Sequence, residues 1–245
     1  MTNRIQHSFE RYEKKYMLTQ RQYEIFLNRI GEKMQEDAFG RYSIGNIYYD
    51  TDDFRVIRTS LAKPAYKEKL RVRSYGVPMP EEDVFIELKK KVNGIVYKRR
   101  ITVPAQRAQE LLLGAVPMPQ HDQIAQEIAW FQSVFHTKPK VFIGYDRTAY
   151  AGTEDSALRI TFDQNMRFRT EDLNLCNGLH GMPLLSLQNI LMEIKMPGAC
   201  PVWLSRILSA MGIFPVSFSK YGHCYCKHIL PQRLAQNQKE AYFSA

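Results

Sequence analysis

No apolar run in this 245-residue chain approaches the roughly 20 residues that a helix needs to cross a bilayer. A helical membrane anchor is therefore not expected. The first residues, Met1-Thr2-Asn3-Arg4-Ile5-Gln6-His7, lack the apolar core of a secretion signal, which points to the cytoplasm. Cysteine is scarce: Cys176, Cys200, Cys224 and Cys226 include one C-x-C pair and no second pair at zinc spacing, so they read as ordinary reduced thiols. The six histidines are scattered singly, with no H-E-x-x-H or H-x-E arrangement, and none is assigned a role. RNP-like and KH-like motifs are missing, which disfavours nucleic acid as the partner. There is no tandem repeat, low-complexity tract or dividing linker. One domain is expected over 1–231, with a polar C-terminal tail, of a composition compatible with disorder, over 232–245.

What is abundant is positive charge, +9 in formal balance, which asks for an acidic partner such as nucleic acid, anionic lipid or a polyanionic small molecule. Much of it recurs at every second position of short β-like segments. Lys69-Leu70-Arg71-Val72-Arg73 is the clearest; Glu13-Lys14-Lys15, Glu87-Leu88-Lys89-Lys90-Lys91, Arg159-Ile160-Thr161-Phe162-Asp163 and Glu193-Ile194-Lys195 share the spacing. Successive strand side chains point to opposite faces, so the charges at i and i+2 share one face and the apolar residues between them the other. An ordinary antiparallel sheet would turn such a face to water. These segments are mostly of one sign, however, and like charges about 8 Å apart at an effective dielectric near 20 repel by roughly 2 kcal/mol per pair. If they line one cavity, that cavity needs an anion.

Strand patterns run over 9–18, 43–50, 65–75, 84–91, 94–103, 140–149, 158–168, 187–196 and 214–226, and Asn93-Gly94 is a hairpin signal. Helical periodicity marks 19–30 behind a Thr19 cap, 106–113, 122–135 and 201–211. The class is α+β, mainly antiparallel, with helices as peripheral packing elements. Closing nine or so strands into a barrel would satisfy their edges and turn the charged face into a tunnel lumen. By the same parity, Lys14, Lys90, Lys91 and Arg99 are as readily solvent-facing as functional.

Eight pieces occur in an order that resembles a known family: Tyr12-Glu13-Lys14-Lys15-Tyr16, Lys69-Leu70-Arg71-Val72-Arg73, Glu87-Leu88-Lys89-Lys90-Lys91, Tyr97-Lys98-Arg99-Arg100, Arg147-Thr148-Ala149-Tyr150, Leu158 through Asp163, Leu191-Met192-Glu193-Ile194-Lys195 and Phe218-Ser219-Lys220-Tyr221. They resemble the VTC (vacuolar transporter chaperone) polyphosphate polymerase domain, of the CYTH-like triphosphate tunnel metalloenzymes, over nearly the whole chain. The resemblance implies a β-barrel tunnel in which basic residues grip nucleotide and polyphosphate. Lys15, Arg71, Arg73, Lys89, Lys98, Arg147, Arg159 and Lys220 are then the phosphate-gripping set, and Glu193 the ligand of Mn²⁺ or Mg²⁺. Glu13, Glu87, Lys69, Arg100 and Lys195 are implied as further substrate-binding positions.

Two departures from the family pattern matter. The hydrolytic branch begins with E-x-E-x-K, whereas Arg11 stands at the first glutamate position here, which favours the polymerase-like branch. A second family lysine, three residues before Lys220, is replaced by Ser217. The helical inositol-phosphate-sensing domain and membrane segments of the eukaryotic proteins are missing, so regulation or membrane passage of a product falls to a partner protein. The expected activity is transfer of the ATP γ-phosphate to a growing polyphosphate chain. Two alternatives stay open: a metal-dependent triphosphatase using Glu13, Glu87 or Asp163 to position water, and a non-catalytic polyphosphate-binding module.

Overall fold

The computed structural model describes residues 12–93 and 95–243. Its strands are β1 (Tyr12–Thr19), β2 (Met34–Asp50), β3 (Tyr66–Tyr75), β4 (Asp83–Val92), β5 (Ile95–Pro104), β6 (Lys138–Gly152), β7 (Arg159–Arg169), β8 (Met182–Pro183) and β9 (Asn189–Met196). Its helices are α1 (Gln20–Ile30), α2 (Arg55–Leu61), α3 (Ala105–Leu112), α4 (Gln123–Phe135), α5 (Val202–Ala210), α6 (Lys220–Cys224) and α7 (Leu230–Phe243), with a π-helical turn at Tyr225–Ile229. The strands join in one antiparallel sheet, ordered β1-β9-β7-β6-β2-β3-β4-β5, with β8 paired to β7. Among the described residues no pairing joins β1 to β5. The α+β antiparallel class is as expected, but hydrogen bonding does not close the barrel.

The chain forms two compact units, each assembled from separate segments. Unit 1 takes the described residues through Tyr42 together with Asp146–Asn165 and Leu185–Ser217. In it β1 pairs with β9 and β9 with β7, and Tyr16, Leu18, Ile160, Phe162, Met192 and Ile194 turn one face of these strands into a core against Phe26 and Ile30 of α1 and Leu204 and Leu208 of α5. The capping box fixes where α1 begins: the Thr19 hydroxyl accepts from Gln22 N, and the Gln22 side chain accepts from Thr19 N.

Unit 2 takes Ser43–Tyr145, Met166–Leu184 and the described residues from Phe218 onward. Its β2-β3-β4-β5 ladder buries Ile47, Leu70, Val72, Val84, Ile86 and Leu88 against Ala108, Leu111 and Leu112 of α3 and Ala125, Ile128 and Phe131 of α4. The β4–β5 hairpin is present, with Val92 opposite Ile95 and Asn93 at φ 47°; Gly94 lies outside the described residues.

The structure departs from the sequence reading at 214–226 and at 34–42, the latter being an unforeseen first half of β2. The stretch 214–226, expected as a strand, contains α6. Ser219 caps it by accepting from Gly222 N, and Tyr221, Cys224 and Tyr225 are buried together at helical spacing, so the aromatic-rich run serves a helix rather than alternation. The helix α7 runs over Leu230–Phe243. Arg11 and the start of the first expected strand lie outside the described residues.

Candidate functional site: two cationic strand faces

In unit 2, cross-strand register sets the charges in rows. Lys69 stands opposite Lys89 and Lys89 opposite Lys98; the next row on the same face is Arg71, Glu87 and Arg100, and the next is Arg73, Phe85 and Thr102. Like charges directly opposite one another destabilise a sheet, so three lysines abreast cost stability that an anion would recover. On the other face, Lys90 and Arg99 hold Glu127 of α4 at 2.9 and 2.8 Å, as the parity argument requires of residues outside the gripping set.

Glu87 is the counterweight on the cationic face. Only 1% exposed, it receives Arg71 Nε on Oε2 at 2.8 Å, with Arg73 Nε 3.8 Å from the same oxygen and Lys98 Nζ 2.7 Å from Oε1. Burial works to raise its pKa, but Arg71, Arg73 and Lys98 together outweigh burial and hold the carboxyl at about 2. Lys98 is drawn downward by burial and by the two arginines, which Glu87 only partly offsets. Glu87, implied by the resemblance as a substrate-binding position and a candidate for holding water in a hydrolase, is here paired with three cations.

Neighbouring side chains orient the guanidinium groups. Arg71 Nη1 donates to Tyr48 Oη at 3.2 Å, and Arg73 donates to Asn46 Oδ1 at 3.0 Å and to Tyr145 Oη at 3.4 Å. The Tyr48 ring stacks on Tyr221 at 4.7 Å, and Tyr221 Oη donates to the buried Asp50 at 2.9 Å. Asp50 also accepts from Val56 N and Ile57 N, which starts α2. Lys220, at the first position of α6, places Nζ 4.2 Å from the centre of the Tyr145 ring, and Lys69 Nζ donates to Ser219 at 3.0 Å. Arg100 carries its guanidinium over Phe85 at 4.7 Å. Tyr48, Asn46, Tyr145 and Ser219 were missed in the sequence. The i, i+2 spacing of Asn46, Tyr48 and Asp50 in β2 was the available signal for the first two.

In unit 1 the register sets Glu13 opposite Lys195 and Lys195 opposite Arg159, then Lys15 opposite Glu193 and Glu193 opposite Thr161. Glu193 lies 3.0 Å from Lys195 Nζ and 3.8 Å from Lys15 Nζ, and Lys15 is 3.6 Å from Glu13. Burial would raise the Glu193 pKa; Lys195, Lys15 and Arg147 overcome it and hold the group at about 2. Arg147 grips the fully buried Asp163, one of the three carboxylates named for the hydrolytic alternative, with two bonds of 2.6 and 2.9 Å. Arg159 reaches Asp37 at 3.4 Å.

No cluster of three His, Cys, Asp or Glu side chains occurs among the described residues. Glu193 nevertheless suits a hard cation in charge and donor type, and the Thr161 hydroxyl opposite it in register is buried with no hydrogen-bond partner. A separate cavity of about 440 Å³ in unit 2, lined by Leu111, Leu112, Met118, Ala129 and Gln132, contains none of the site residues.

The protein thus sets rows of strand cations against buried carboxylates in both units. Its fold is shared with HpAC1 of Hippeastrum, an adenylyl cyclase candidate with a dominant triphosphatase activity: TM-score 0.52 at 14% identity, covering 85% of this chain and 92% of that one. A candidate adenylate cyclase of Vibrio parahaemolyticus aligns at TM-score 0.49 and 12% identity, covering 89% of this chain and 98% of its own. A search of curated protein sequences finds no match. The VTC domain profile matches residues 10–229, and the chain belongs to the VTC domain family.

Proposed function

We propose that the protein is a polyphosphate polymerase-like phosphotransferase that moves the γ-phosphate of ATP onto the end of an inorganic polyphosphate chain. The observation that carries this reading is the ladder Lys69–Lys89–Lys98 beside Arg71 and Arg73, whose mutual repulsion a string of phosphates relieves. Phosphoryl transfer asks for positioning and charge neutralisation more than for covalent help from the protein. Arg71 and Arg73 supply planar forks for paired phosphate oxygens, and the lysines supply movable point charges. The acceptor is itself a phosphate oxygen, so no side-chain nucleophile is needed. In unit 1, Lys15, Lys195, Arg147 and Arg159 bind phosphate in the same way. Glu193, which Lys15 and Lys195 now hold, would be the carboxylate to hold Mg²⁺ or Mn²⁺, with the Thr161 hydroxyl opposite it in register. When bound, such an ion neutralises charge building on the leaving phosphate.

Hydrolysis is the second reading. Glu13 touches Lys15 only at 3.6 Å, so it is less committed than Glu87 or Asp163 and is the carboxylate best placed to hold a water. HpAC1, which has this fold, is described by a triphosphatase activity. Incubation with ATP and Mn²⁺ or Mg²⁺, resolving products on a gel stained for polyphosphate while assaying ADP and free phosphate, separates the readings. A chain ladder lost in Arg71→Ala and Glu193→Gln is the expected result. Orthophosphate without chains refutes the polymerase, and bound polyphosphate without turnover reduces the protein to a binding module.

A further inference from the structure

At one end of the unit 2 ladder the cationic face gives way to aromatic rings. Two residues beyond Arg73, and so on the same face of β3, stands Tyr75; beside Arg73 in register is Phe85. Tyr75 meets Phe85 edge to face, with ring centres 5.8 Å apart and planes at 77°, and the Arg100 guanidinium lies over Phe85 at 4.7 Å. Tyr75 is the last residue of β3. Gly76 follows at φ 76° and ties the turn to β2 through its N–H, which donates to Ser43 O at 2.8 Å. The backbone after Tyr75 is thus pinned and the ring packs on Phe85, yet 51% of the residue remains exposed.

We infer that Tyr75, buttressed by Phe85 and flanked by Arg100, is a stacking platform for the base of a nucleotide whose phosphates run along β3 toward Arg73 and Arg71. This rests on the phosphate-gripping reading above and adds to it the position and chemistry of the nucleoside end. An exposed aromatic ring beside a guanidinium offers a base both stacking and a cation–π partner, and every base has a face to present. The spacing suits a nucleotide: Tyr75 to Arg71 is four strand residues, about 13 Å at ~3.3 Å per residue, with Arg73 midway. Ordinary burial does not account for Tyr75, since the core residues Ile47, Leu70 and Val72 lie on the opposite face. The site selects for a base without choosing among bases, because stacking rather than edge hydrogen bonding supplies the contact. Arg100 accordingly belongs to the nucleoside end of the site rather than to the phosphate grip.

The test is calorimetric binding of ATP and of tripolyphosphate, in EDTA to stop metal-dependent turnover, to the full chain and its Tyr75→Ala, Tyr75→Phe and Arg100→Ala variants. Loss of the stacking ring should weaken ATP binding about 5- to 150-fold, the range spanned by base–aromatic stacking, and leave tripolyphosphate affinity within about twofold. Tyr75→Phe should keep the wild-type preference, and Arg100→Ala should weaken ATP more than tripolyphosphate. Equal weakening of both ligands by Tyr75→Ala would make the ring structural and overturn the inference, as would no change in either. Should the wild-type chain bind neither ligand, the phosphate grip itself fails and the platform with it. Tripolyphosphate binding retained while ATP gains nothing from Tyr75 refutes the platform alone.

Discussion

Glu87→Gln removes the charge that makes the unit 2 ladder tolerable while keeping the shape of the side chain. Glu87 is 1% exposed and is held at about 2, against an ordinary glutamate value of 4.5. A carboxylate whose folded value lies below its unfolded one stabilises the fold above the unfolded value. That contribution is lost as the pH falls from about 4.5 through about 2. The difference corresponds to about 3 kcal/mol at neutral pH, within the roughly 3–5 kcal/mol expected when one partner of a buried ion pair is removed. In a chain of this size, 3 kcal/mol is a fall of about 6–12 °C in Tm. Thermal and urea unfolding of both proteins at pH 7 and again near pH 3 should show the gap at neutrality and its narrowing in acid.

The same substitution leaves Arg71, Arg73 and Lys98 sharing one face without their carboxylate. A polyanion should replace the missing charge, so tripolyphosphate should raise the Tm of Glu87→Gln by more than it raises that of the parent. If the variant matched the parent within about 0.5 kcal/mol at pH 7, or if its deficit persisted unchanged at pH 3, Glu87 would not be the counterion described here.

Val72, 3% exposed in the unit 2 core, should not tolerate aspartate, and Val72→Asp should unfold the chain by circular dichroism. Arg71→Ala, one residue away on the other face, should stay folded and lose phosphate binding; the reverse pattern would invert the assignment of faces. Asp163→Asn breaks the two-bond grip on Arg147 and should cost about 3–5 kcal/mol in urea unfolding. Tyr221→Phe keeps the stack on Tyr48 but removes the hydroxyl that donates to Asp50, for about 1.5–3 kcal/mol. Burial raises the Asp50 pKa and the Tyr221 bond opposes that rise, so the loss should be larger at pH 7 than near pH 4.

The alternation that places Arg71 and Arg73 on one face and Leu70 and Val72 on the other is a property of any extended strand, and it was legible without coordinates. Segments obeying it, such as β3, β4, β7 and β9, were found close to their observed bounds. The first half of β2, over 34–42, was not. Its Glu36, Asp37 and Arg41 carry no apolar alternation, and pairing rather than burial holds it. In the stretch holding α6, residues suited to both periods let the buried Tyr221–Asp50 bond decide, a contact across 171 positions that no local pattern contains. Register was equally hidden. Lys69, Lys89 and Lys98 each had a motif, but that they stand abreast depends on how three strands align.

The carboxylates of the two faces share a logic that explains how the strands tolerate so much positive charge. In unit 2 one glutamate serves Arg71, Arg73 and Lys98; in unit 1 one glutamate serves Lys15 and Lys195, and one aspartate serves Arg147. Each of these three acids is buried and is paired with one or more cations. Fewer acids would leave the cations unheld and their long side chains disordered, at an entropic cost on binding. More would neutralise the face and remove its attraction for phosphate. The carboxylates hold Arg71 and Arg147 in position by direct hydrogen bonds. On the proposed reading, a phosphate chain would meet donors already oriented, and its binding energy would go into displacing lysines from carboxylates rather than into building the site.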